Sequence, residues 1–225
     1  MWSLKCFFSI LRHAKRVDFN IPSLMQFVYY NFLSKQVKGK LSAGALLIPY
    51  KNCIISVDKT ASIVLEGPLI LGTPSMRGSK KHSYLSMKEN AQLIVHNNCR
   101  LVDGADIQIH KNAMWEMDDF HSNTGLEISC GLKIRMQGEV TSGRHVRLKD
   151  YNGHIVSYSG YPISASILIE NHVWLCTGST INPGVHIETG AVIGDNANVV
   201  SDVPAKTFCL GNPAQVIETN IEFEI

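Results

Sequence analysis

The sequence predicts a mainly-β solenoid, a parallel β-helix of hexapeptide repeats preceded by a short helical segment. Three observations carry this. Steps of six from Ile163 reach Ile169, Leu175, Ile181, Ile187, Ile193 and Val199, all branched aliphatics. If about a quarter of residues are Ile, Leu or Val, seven such hits in register have odds below about one in ten thousand. A second column stands four residues after each member from Ile169 onward: Val173, Ser179, Val185, Ala191, Ala197 and Val203, all small or β-branched. The third observation is what the period excludes. A helix of 3.6 residues per turn would smear every sixth residue around its surface, and a hairpin meander would need regular turn signals. A hexad suits a coil of three short faces, each giving one large side chain to a common axis, with coils stacked about 4.8 Å apart.

Taken in order, residues 1–40 break the repeat and form a helical cap. Leu4, Phe7, Phe8 and Leu11 share one helical face within Lys5–Arg16, and Pro22 after Asn20-Ile21 starts a second helix through about Ser34. Such a segment either covers the first coil, as solenoid ends require, or touches a membrane surface at its periphery. Residues 41–208 are the β-helix. The six-step column recurs at Val57, Ile63 and Leu69 and at Ile128, Ile134, Val140 and Val146, and it loosens between these blocks. At roughly 18 residues per coil, the span 41–204 holds about seven to nine coils. The column is lost between Val146 and Ile163, which marks a loop excursion over 149–162. Residues 209–225 are a tail in which Gly211-Asn212-Pro213 closes the solenoid.

Composition fits a core-building chain. Of 225 residues 45% are hydrophobic and 18% charged, and mean hydropathy is +0.03. A formal charge of +2 gives no reason to propose a nucleic-acid partner. The six cysteines form no CxxC pair, which argues against a thiolate metal site and for a reduced, cytoplasmic protein. No apolar run has transmembrane length, and no cleavage site follows the apolar N-terminal stretch.

Several motifs resemble a known family. Ile169-Glu170-Asn171-His172-Val173-Trp174, Ile181-Asn182-Pro183-Gly184-Val185, Ala191-Val192-Ile193-Gly194 and Gly211-Asn212-Pro213-Ala214-Gln215-Val216-Ile217 are similar to the left-handed β-helix of hexapeptide-repeat acyltransferases. The branch they resemble most O-acetylates sugars of bacterial surface polysaccharides. Asp150-Tyr151-Asn152-Gly153-His154-Ile155 resembles that family's D-x-D-x-H-x-I loop, with Asn152 for the second Asp. Leu175-Cys176 stands where Ile-Gly is usual, and Val200-Ser201 where a small-residue corner is commoner.

The resemblance implies acetyl-CoA as donor, a sugar hydroxyl as acceptor, and a homotrimer with sites between subunits; the activated thioester requires no metal, and the N-terminal segment is what would place a cytoplasmic protein at the inner face of the membrane. Acetyl transfer needs a base near neutral pKa, which histidine supplies. Of nine histidines, His154 lies in the excursion beside Gly153, where a rigid solenoid displays functional residues. Asp150 or Asn152 then orients its ring, or forms an Asx turn. His121 is the second candidate base, His145 a cleft residue and His172 a turn residue. Trp174, in an outward register, faces the acetyl-CoA cleft or packs on a neighbouring subunit. Gly178, Ser179, Ala197 and Asn198 admit the pantetheine arm, and Lys206 meets the 3′-phosphate as a point charge. Cys176 has no activating pattern and is not read as a nucleophile. Two other activities use such a helix, N-acetyl transfer to a nucleotide-linked amino sugar and zinc-dependent hydration. The second needs an HxxxxH pair that the chain lacks. A non-catalytic β-helix scaffold is the remaining class.

Overall fold

The computed structural model describes residues 20–39, 44–154 and 163–224. The helix expected over Lys5–Arg16 lies outside them. The second helix is Ile21–Val28, continued by a π-helical turn Tyr29–Leu33. Its start follows from the sequence: Pro22 is in the first turn, and Asn20 and Ser23 cap each other, the Asn20 side chain accepting the Ser23 N–H at 3.0 Å. The segment seals the first coil. Phe27 packs with Leu46 and Ile48, and Asn31 replaces a missing strand by exchanging two hydrogen bonds with the Leu47 backbone (2.7 and 2.9 Å). Tyr30 Oη and Gln26 Nε2 donate to the carbonyls of Ile55 and Cys53, both at 3.1 Å.

From there the chain winds into parallel strands on three faces. The first face runs from Val37–Gly39 through Ser62–Leu65 to His186–Ile187, and the second from Leu47–Pro49 to Thr207–Gly211. Seven parallel strands, from Cys53–Val57 to Asn198–Val199, make the third. The C-terminal strand Ala214–Thr219 turns back antiparallel on Thr207–Gly211. No helix among the described residues is long and apolar enough to cross a membrane.

Coil length explains where the hexad is strict. Ile181 pairs with Val199, so that coil is three hexads long. Upstream, Ile107 pairs with Ile128 and Ile128 with Leu148, and both of these coils exceed three hexads. The added length sits between the third and first faces, where Ile107 to Met117 takes ten residues and Ile128 to Met136 eight, against six from Ile181 to Ile187. Gln92–Val102, Met114–Ser122 and Lys133–Ser142 each run on through the first and second faces, with register irregularities after Val95 and Met136. A wider coil encloses a wider core, and larger side chains fill it. Trp115, Phe120, Met87, Met117 and Met136 are all buried there, Trp115 and Phe120 edge to face at 6.0 Å. Leu148 pairs with Ile181, and the chain between them makes one coil plus the excursion. Ile163, the first member of the six-step column, is 40% exposed, and the core resumes at Ile167.

Candidate active site

The third-face strand Arg147–Lys149 delivers Asp150 to the base of the excursion. Asp150 is fully buried, and its carboxylate accepts the backbone N–H groups of Gly131 and, at 3.0 Å, Leu132 on the preceding coil. It therefore braces the corner, and the orienting of His154 expected of it is not the role its oxygens play. Burial is the stronger influence on this carboxyl, lifting its pKa against the lowering effect of those N–H donors.

The excursion is pinched at its root. Asn152 N–H donates to Ile163 O (2.9 Å), Ala165 N–H to Asp150 O (3.0 Å), and Tyr151 bridges Ser164. The Tyr151 ring covers Gly131, where a Cβ would overlap it, and lies 5.3 Å from the His110 ring. Its hydroxyl donates to Gly153 O (3.2 Å), and Lys149 Nζ donates to Asn152 Oδ1 (3.3 Å). Gly153 takes a φ of +79°, a backbone that L side chains rarely adopt, and His154 follows it, exposed to solvent. The result is an exposed imidazole on a rigid footing. Sequence reasoning missed Tyr151, whose signal was an aromatic placed one coil after the small Gly131.

The expected cofactor residues are dispersed. Trp174 stands on the second face, 40% exposed between buried Val173 and Leu175. The C-terminal tail reaches it: Phe223 is 6.1 Å from Trp174 and stacked on His172 at 4.3 Å, and His172 Nε2 meets Phe223 O at 3.0 Å. Lys206 is exposed at the corner between the first and second faces and lines a cleft of about 250 Å³ with His172, Gly190 and Phe223. Gly178 (φ +74°) turns the opposite corner, from the second face to the third. Ser179 and Ala197 face the core, and the Ser179 hydroxyl donates to Cys176 O (2.9 Å), so neither side chain reaches a surface ligand. Asn198 lies between Asn182 and Asn212 in a hydrogen-bonded row on the third face. Cys176 is buried, its thiol pushed up to about 11. His145 occupies a left-handed corner over Gly125. Among the described residues no group of three or more His, Cys, Asp or Glu side chains could hold a metal ion. Trp174 and Lys206 thus meet around the tail residue Phe223, whereas His154 follows the third-face strand Arg147–Lys149.

No protein-family model matches the chain. It is 37% identical over 93 residues to a colanic acid biosynthesis acetyltransferase, WcaF, of Escherichia coli K12, covering 39% of this chain and 51% of that one. It is 31% identical over 118 residues to the galactoside O-acetyltransferase of the same organism, covering 51% and 54%. The crystal structure of the polySia-specific acetyltransferase NeuO superposes with a TM-score of 0.54 at 20% identity, over 86% of this chain and 75% of that one. The fold is the left-handed β-helix of hexapeptide-repeat acetyltransferases. The chain spans about half the length of the curated relatives it matches.

Proposed function

We propose that the protein is an acetyl-CoA-dependent O-acetyltransferase acting on a sugar hydroxyl of a surface-type polysaccharide or its precursor. The observation that carries this is the footing of His154, an exposed imidazole displayed by a loop whose root is fixed by Asp150 and Tyr151. A sugar hydroxyl gives its proton to the imidazole as its oxygen attacks the thioester carbonyl carbon. The tetrahedral oxyanion collapses, the C–S bond breaks, and the imidazolium returns the proton to the leaving thiolate of CoA. Sugar hydroxyl and acetyl thioester become sugar ester and free thiol, without metal or covalent enzyme intermediate.

Because His154 and Trp174 lie on different faces, the site assembles when one chain's loop meets another chain's second face, as in a homotrimer. Trp174 then borders the acetyl group, and Lys206 meets the CoA phosphate. Exposed Ile21, Met25 and Leu33 on the N-terminal helical segment support peripheral contact with the inner face of the membrane. The test is release of CoA thiol from acetyl-CoA with a glycan acceptor, with a base-labile ester as product. Turnover unchanged in His154→Ala would remove His154 from the mechanism.

A further inference from the structure

A cleft of about 410 Å³ lies on the second face, on the N-terminal side of Trp174. Its walls are Arg100, His121, Asn123, Thr141, Ser142 and Arg144. The parallel register places these groups in one line: Arg100 pairs with His121, His121 with Thr141, and Thr141 with Trp174. Two features of the lining point to an anionic occupant. Arg100 and Arg144 are exposed, and neither has a carboxylate partner among the described residues. His121 is held in place by Asn98, whose Nδ2 donates to Nε2 at 3.0 Å. Ser142, next to outward Thr141, turns inward in register with Ser122 and Leu175, so only its backbone borders the cleft.

We infer that this cleft binds an anionic group, a carboxylate or phosphate ester, of the acceptor glycan, so that the enzyme selects acidic saccharides. The inference rests on the acetyltransferase reading for its biological sense, though binding alone can test it. Guanidinium forks recognise planar carboxylates and phosphates in two-point fashion. Asn198 and Lys206, the expected CoA contacts whose side chains reach the surface, lie on coils C-terminal to Trp174, which leaves the N-terminal side for the acceptor.

The probe is trigalacturonate, titrated calorimetrically into the full chain without acetyl-CoA, beside its neutral methyl ester and galactose 6-phosphate. Expected is binding of the charged ligands, loss of affinity on esterification, and weakening of about tenfold or more in Arg100→Ala and Arg144→Ala. Lys111→Ala, a remote surface lysine, controls for net charge and leaves binding unchanged. Equal binding of acid and ester, or no binding of either, overturns the inference. Weakened binding of CoA but not of dephospho-CoA in the arginine variants also overturns it, because the cleft would then belong to the donor. Absence of thiol release with every acceptor would refute the acetyltransferase reading and leave the calorimetric result standing.

Discussion

Asp150 and Leu132 are joined across a coil boundary, the buried carboxylate accepting the Leu132 N–H at 3.0 Å beside that of Gly131. This contact makes the floor of the loop that displays His154. Asp150→Ala strands two backbone donors in a part-buried corner and is expected to cost about 2–4 kcal/mol of stability. Urea unfolding measures it. A loss below about 0.5 kcal/mol would show that the brace is dispensable.

His154→Ala separates chemistry from folding. The side chain is exposed, so stability is expected within about 0.5 kcal/mol of the parent. Acetyl transfer is expected to fall by about a hundredfold or more, the usual worth of a positioned base. Asp150→Ala lowers both stability and activity, and His154→Ala lowers activity alone. Parallel melting curves and thiol-release assays distinguish them.

The five described cysteines, Cys53, Cys99, Cys130, Cys176 and Cys209, are free and buried, and burial raises every one of their thiols. Cys53 is pushed up to about 12. An aromatic disulfide reagent at neutral pH is expected to titrate none of the five in the folded protein. Cys176→Ala is expected to retain acetyl transfer, and its loss would reinstate a thiol in the mechanism.

His96 sits between two carboxylates on neighbouring coils, Glu66 at 2.9 Å and Glu116 at 3.1 Å, and these hydrogen bonds raise its pKa. A raised pKa means the folded state holds the proton more tightly than the unfolded one. The resulting stability is fully present below the unfolded value near 6.5 and fades as pH climbs through the raised one. The gap in melting temperature between parent and His96→Gln is therefore widest in mild acid and closes in alkali. A gap independent of pH would mean the imidazole acts by packing.

Gly125 has a φ of +78° and lies under His145, which a Cβ at Gly125 would overlap. Gly125→Ala is expected to destabilise by about 1–3 kcal/mol. His145→Ala in the same chain removes the clash but not the backbone strain, so it restores part of that loss. Chemical denaturation of the four variants gives the coupling.

How much the chain discloses depends on coil length. Where a coil is three hexads long, as from Ile181 to Val199, every member of the column is buried and the solenoid is plain in the sequence. Where a coil exceeds three hexads, a step of six drifts off the axis, and only the register of the folded strands restores the pattern. The loop that carries His154 is legible because the six-step column stops at Val146. The second-face cleft is not, because Arg100, His121 and Thr141 are one irregular coil apart and share no local motif. Ser179 and Ala197 look like surface residues in the sequence although they belong to the inward second column, and their smallness reflects a tight corner.

The outward row on the second face places one side chain per coil, and none of its members carries the core. Arg100, His121, Thr141 and Trp174 stand about 4.8 Å apart along the axis, close to the advance of a single sugar ring. Each rung is a separately replaceable tooth, so on the proposed acceptor reading a lineage can recut saccharide preference one tooth at a time on an unchanged spine.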